Sequence, residues 1–232
     1  MTLLAILLLG FVLGLRHATD ADHVVAVTTI VSRERTARGA LWVGALWGLG
    51  HSATIMTVGG AIVLFGWVIP PRLGLSMEMS VAVMLIVLGV MNVGGTLSKI
   101  RRIAHGHDHA QLDAASDAPL RASSGLRPLV IGVVHGLAGS AAIALLVLAT
   151  INSAERALLY LAVFGAGTLA GMMLLTLAMS LPISALAQRF PNVEQQLARV
   201  TGLISIALGL FLAYRIGIVD GLLFGAPVWV PR

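Results

Sequence analysis

Cysteine is absent from all 232 residues. Disulfides, thiolate ligation and thiol redox motifs are thereby excluded, and any metal site must be built from nitrogen and oxygen donors. Charge is also scarce, since Asp, Glu, Lys and Arg together make up 11% of the chain against 58% hydrophobic residues. Soluble domains are about one quarter charged, so a mean hydropathy of +0.95 points away from a solvated exterior and toward lipid. The formal charge of +5 gives no support to nucleic-acid binding. No Walker-type glycine-rich Lys-Ser/Thr run is present, which leaves no ATP-hydrolysing motif in the chain.

What the chain has in abundance is aliphatic sequence, in runs close to the roughly 20 residues that span a bilayer core. These runs predict helices near 2–31, 40–66, 79–98, 129–151, 157–181 and 200–219. The expectation is an all-α membrane protein of about six transmembrane helices. The first run lacks a basic start and a small-residue cleavage site, so it reads as part of the mature protein and not as a signal peptide.

Basic residues set the orientation. Segments 32–39, 99–128 and 182–199 hold ten of the 15 lysines and arginines, whereas the alternate segments hold only Arg72, Arg156, Arg215 and Arg232. By the positive-inside rule both termini lie outside the cytoplasm of an inner, cytoplasmic membrane.

The polar stretch 99–128 divides the chain into residues 1–98 and 129–232. Leu13-Gly14-Leu15-Arg16-His17 aligns with Ile131-Gly132-Val133-Val134-His135, Gly48-Leu49-Gly50-His51 with Gly165-Ala166-Gly167-Thr168, and Leu88-Gly89-Val90 with Leu208-Gly209-Leu210. Each half carries three expected spans, an odd number, so the second is inserted upside down relative to the first. Two inverted three-helix repeats are a transporter architecture.

The chemistry is concentrated where lipid disfavours it. Arg16, His17, Asp20, Asp22 and His23 fall in the middle of the first expected span, and an ionisable residue there costs about 2.5–3.5 kcal/mol on insertion scales. Arg16 and Asp20 are spaced to pair on one helix face. His17, Asp22 and His23 remain, a nitrogen and oxygen set suited to Ni²⁺, Co²⁺ or Zn²⁺. On an unbroken helix Asp22 lies about 140° and His23 about 240° around from His17. Either the helix unwinds here or the three serve different shells of the site. His51, beside Ser52 in the second span, is positioned to reach this motif, and His135 and Ser140 stand in the fourth. A lone histidine in an apolar helix is also compatible with plain hydrogen-bonded packing. The linker tract His105-Gly106-His107-Asp108-His109 is of the type that collects transition metals, and it reads equally as a solvated loop.

The run from Arg16 to Val24 resembles the His-x4-Asp-His signature of the nickel/cobalt transporter family. Leu49 to Thr54 resembles that family's Gly-His-Ser segment, and Gly171-Met172 its later Gly-Met segment. His135 to Ser140 stands where the longer members carry an acidic segment, and Thr176 stands where they carry an aspartate. In this the chain resembles a shorter branch described as urease accessory or nickel-transport-like membrane proteins. The resemblance implies nickel or cobalt permeation, with metal recognition by His17, Asp22 and His23 and with His51 lining the same path.

The expected function is therefore secondary transport of a divalent transition metal, nickel first, with no prosthetic group and no enzymatic activity. Its expected partners are the ion, the bilayer and proteins of nickel-enzyme maturation. Metal efflux and a non-transporting membrane metallochaperone for urease or hydrogenase maturation are the alternatives. An intramembrane protease built on Ser140 ranks lower, because His135 precedes it by five residues and sits about 140° away on the same helix.

Overall fold

A computed structural model describes residues 2–31, 36–94, 126–137, 150–151, 153–189 and 193–229. Every regular element among them is helical. They are α1 (Leu3–His17), α2 (Ala21–Val31), α3 (Ala37–Phe65), α4 (Pro71–Val93), α5 (Leu126–His135), α6 (Ala154–Arg189) and α7 (Val193–Tyr214), the last followed by a π-helical turn, Arg215–Val219. Among the described residues four helices are long and apolar enough to cross a membrane, and α1 and α2, bent by 56° at the break between them, pass the same test together. The chain is a multi-pass α-helical membrane protein. The sixth expected span, 129–151, lies largely outside the described residues.

The bend has a local cause. Thr19 turns its hydroxyl back onto the Arg16 carbonyl at 2.6 Å, a side-chain bond that competes with helix continuation. The amides of Thr19 and Asp20 bond three residues back, to Arg16 and His17, and the Asp20 carbonyl then receives Val24 to start α2. The first expected helix is thus two helices, as the unwinding alternative required.

Three other boundaries differ from the expectation. Helix α4 begins at Pro71 and not near 79, because proline at the first helical position fits a preset φ and gives up no needed donor. Hydropathy alone had placed Arg72, Ser76 and Glu78 outside the span. Helix α6 runs past 181 and continues through Pro182 to Arg189. Helix α7 begins at Val193 and not near 200. Helix α3 closes on glycine, with Gly66 at φ 63° and its amide on the Ile62 carbonyl.

Helices α1 and α3 both pack on α6, and α4 packs on α7. Close approach comes from small residues. Gly14 leaves no room for a Cβ, which would sit 2.7 Å from the Thr168 amide, and the same glycine faces the Phe164 carbonyl. Backbones meeting this way suit a bundle held by van der Waals contact and not by water expulsion. The contacts recur with the two halves exchanged. Gly14 on the Phe164 carbonyl matches Gly132 on the Trp47 carbonyl, and Gly167 on Phe11 matches Gly50 on Leu129. Gly89 against Gly202 and Ile206 likewise matches Gly209 against Ala82 and Ile86.

Candidate metal centre

The break between α1 and α2 delivers His17 and His23 to the same interior space. His17 is the last residue of α1 and His23 stands in the first turn of α2, so the bend cancels the angular separation they would have on one straight helix. From α3 comes His51, and from the end of α5 comes His135. All four imidazoles are buried, His23 and His135 at 0% exposure. In a lipid-embedded bundle such burial of four ring systems demands specific partners.

The hydrogen bonds fix the donors. His17 Nδ1 donates to Asp20 Oδ2 at 2.9 Å, because a carboxylate accepts. His23 Nδ1 donates to the His17 carbonyl at 2.8 Å. His135 Nε2 donates to Asp22 Oδ2 at 2.9 Å. The lone pairs of these rings then reside on His17 Nε2, His23 Nε2 and His135 Nδ1. His17 Nε2 lies 2.9 Å from His51 Nε2, while His23 Nε2, His51 Nδ1 and His135 Nδ1 are buried without a hydrogen-bond partner. Unpartnered polar nitrogens in a buried interior are costly, and a transition-metal cation is a partner to which their lone pairs can donate.

Two ligand sets result, His17 with His23 and His51, and Asp22 with His23 and His135; within each, the donor atoms lie within 4.8 Å of one another. Asp20 and the His17 carbonyl orient the rings through these hydrogen bonds, the kind of contact that carboxylates and carbonyls commonly make to metal-bound histidine.

The expected pairing of Arg16 with Asp20 does not occur. The i,i+4 geometry requires a continuous helix, and after the break the Asp20 carboxylate reaches His17 instead, while Arg16 is exposed. Ser52 sits outside the cluster, its hydroxyl donating to the Gly165 carbonyl at 3.0 Å and tying α3 to α6. Gly171 meets Ala18 and Leu15 at the end of α1, and Met172 is core. Thr176 returns its hydroxyl to Met173 in its own helix. Ser140 and the tract with His105, His107 and His109 lie outside the described residues.

The sequence reading missed the walls of the site. Trp47 stands edge-on to His23 with ring centroids 5.5 Å apart and to His135 at 5.6 Å, and Phe164 lies 5.5 Å from His17. Trp47 was legible in principle, being four residues before His51 and hence on the same helix face. Thr54 also escaped notice; its hydroxyl bonds the Val133 carbonyl at 3.1 Å and fastens α5, with His135, against α3.

Comparison with known proteins adds relatives. Urease accessory protein UreH of Bacillus sp. (strain TB-90) is 35% identical over 223 residues, covering 95% of each chain. Hydrogenase nickel incorporation protein HupN of Bradyrhizobium diazoefficiens is 31% identical over 141 residues, 58% of this chain and 37% of HupN. Chloroplast protein FOR GROWTH AND FERTILITY 1 of Arabidopsis thaliana is 28% identical over 228 residues, 93% of this chain and 59% of its own length. No solved structure matches the chain. Residues 7–211 match the cytochrome c biogenesis protein transmembrane region, and the chain belongs to that family, as a member without a single cysteine.

Proposed function

We propose that this chain is a permease that moves a divalent transition metal ion, nickel foremost, across the cytoplasmic membrane through the buried His/Asp cluster. The observation that carries the reading is the set of unpartnered ring nitrogens gathered at a break in a membrane helix. Broken helices at mid-membrane are where secondary transporters build their ion sites. The donor set of imidazole and carboxylate suits nickel, cobalt and zinc, and the names of UreH and HupN favour nickel among them.

In this account His17, Asp22, His23, His51 and His135 bind the ion, and residues 1–98 and 129–232 are inverted repeats. The reciprocal glycine contacts support that symmetry. Both termini lie outside the cytoplasm in this account, a reading supported by the excess arginine and lysine in segments 32–39, 99–128 and 182–199. The linker histidines assist capture or release on the cytoplasmic side.

Uptake of Ni²⁺ into proteoliposomes loaded with a fluorescent chelator tests the proposal, with and without a pH gradient. Chelator quenching well above that of protein-free vesicles is expected. Binding without uptake in either direction would contradict a permease and favour the second reading, a membrane metallochaperone serving nickel-enzyme maturation, which the urease accessory name of UreH supports.

A further inference from the structure

His23 belongs to both ligand sets, yet it has one donor to offer. Its Nδ1 is committed to the His17 carbonyl, and only Nε2, buried and unpartnered, remains. An imidazole nitrogen carries a single in-plane lone pair and binds one ion at a time. The sets His17/His23/His51 and Asp22/His23/His135 therefore cannot both be complete.

The geometry points to His23 as a pivot between two mutually exclusive positions for one metal ion, an all-imidazole position with His17 and His51 and a carboxylate position with Asp22 and His135. The inference rests on the reading of the cluster as a metal path and adds the step within it. Passage from the first position to the second breaks the bonds to His17 and His51 and forms bonds to Asp22 and His135, while the bond to His23 persists. No electron is transferred and the ion is never released bare into the interior. In the second position the ion takes the place of the proton between His135 Nε2 and Asp22 Oδ2, which lie 2.9 Å apart, and that proton moves to the ring's Nδ1, which is buried and unpartnered. The two positions differ in net charge by one, because only the second includes a carboxylate, so the ion meets unlike fields on its way.

Co²⁺ is a suitable probe, since its visible absorption reports the ligand set. The full chain in detergent, carrying alanine at His105, His107 and His109 so that the linker adds no ion and serving as the parent here, should saturate at one Co²⁺ per chain. Two paired variants, His17→Asn with His51→Asn and Asp22→Asn with His135→Asn, should each still bind one Co²⁺ within about a hundredfold of the parent affinity. Their spectra should differ from one another, and His23→Asn should lose binding in both pair backgrounds. Flux should drop at least tenfold in each paired variant, because each has lost one end of the exchange. Saturation of the parent at two Co²⁺ would overturn the pivot, and so would complete loss of binding in both paired variants with their helical melting unchanged. The parent stoichiometry tests the claim even if a variant fails to fold. A parent that satisfies the binding tests but carries no flux contradicts the permease and leaves the pivot standing.

Discussion

The ring of His23 donates from Nδ1 to the backbone carbonyl of His17 at 2.8 Å, across the break that separates α1 from α2. The bond stabilises the bend and selects the tautomer of His23 whose free nitrogen faces the other imidazoles. Fold and chemistry are joined at that one contact.

Asp20 acts on the ion through His17. Replacing it with asparagine removes the charge that orients the ring and raises its basicity, and Ni²⁺ affinity should fall about 10- to 100-fold. Arg16→Gln should change affinity by less than about threefold, since the guanidinium is exposed and does not engage Asp20. Titration of the purified variants with Ni²⁺ checks both, and equal losses would return Arg16 to the site.

The reciprocal glycine contacts predict matched costs. Gly89→Leu and Gly209→Leu each force a side chain into a helix backbone and a facing isoleucine, and overpacking of this kind costs about 1–3 kcal/mol. Thermal unfolding in detergent should show similar downward shifts for the two. A large shift for one and none for the other would argue against equivalent halves.

Protons compete with metal for imidazole lone pairs. Imidazole ligates only when neutral, so Ni²⁺ affinity should fall as the medium is made acidic. A flat profile measured by equilibrium dialysis would exclude histidine from the first coordination sphere.

Replacing His105, His107 and His109 together with alanine should leave vesicle flux within a few-fold of the parent. A short polar His-rich tract concentrates metal without enclosing it. Complete loss of flux would place the tract on the path.

How far the site was legible follows from these residues. His17, Asp22 and His23 stood out because ionisable groups in a lipid-length apolar run need an explanation, and the structure brings His51 and His135 to them. Their mutual arrangement was not legible. It depends on the break at Thr19 and Asp20, where two backbone turns and a hydroxyl replace the helix, and an angular projection on a straight helix cannot represent that. The same break diverted Asp20 from Arg16 to His17. Among the described residues hydropathy found the long spans but misplaced the start of α4, since it gives no weight to the helix-starting role of Pro71, and it left Trp47 among the anonymous apolar residues.

X-ray absorption at the nickel edge of the loaded, full-length protein tests the central claim most directly. The account predicts a nitrogen and oxygen shell with the outer-shell scattering of two to three imidazoles, reduced in His23→Asn. A spectrum without imidazole scattering would contradict it.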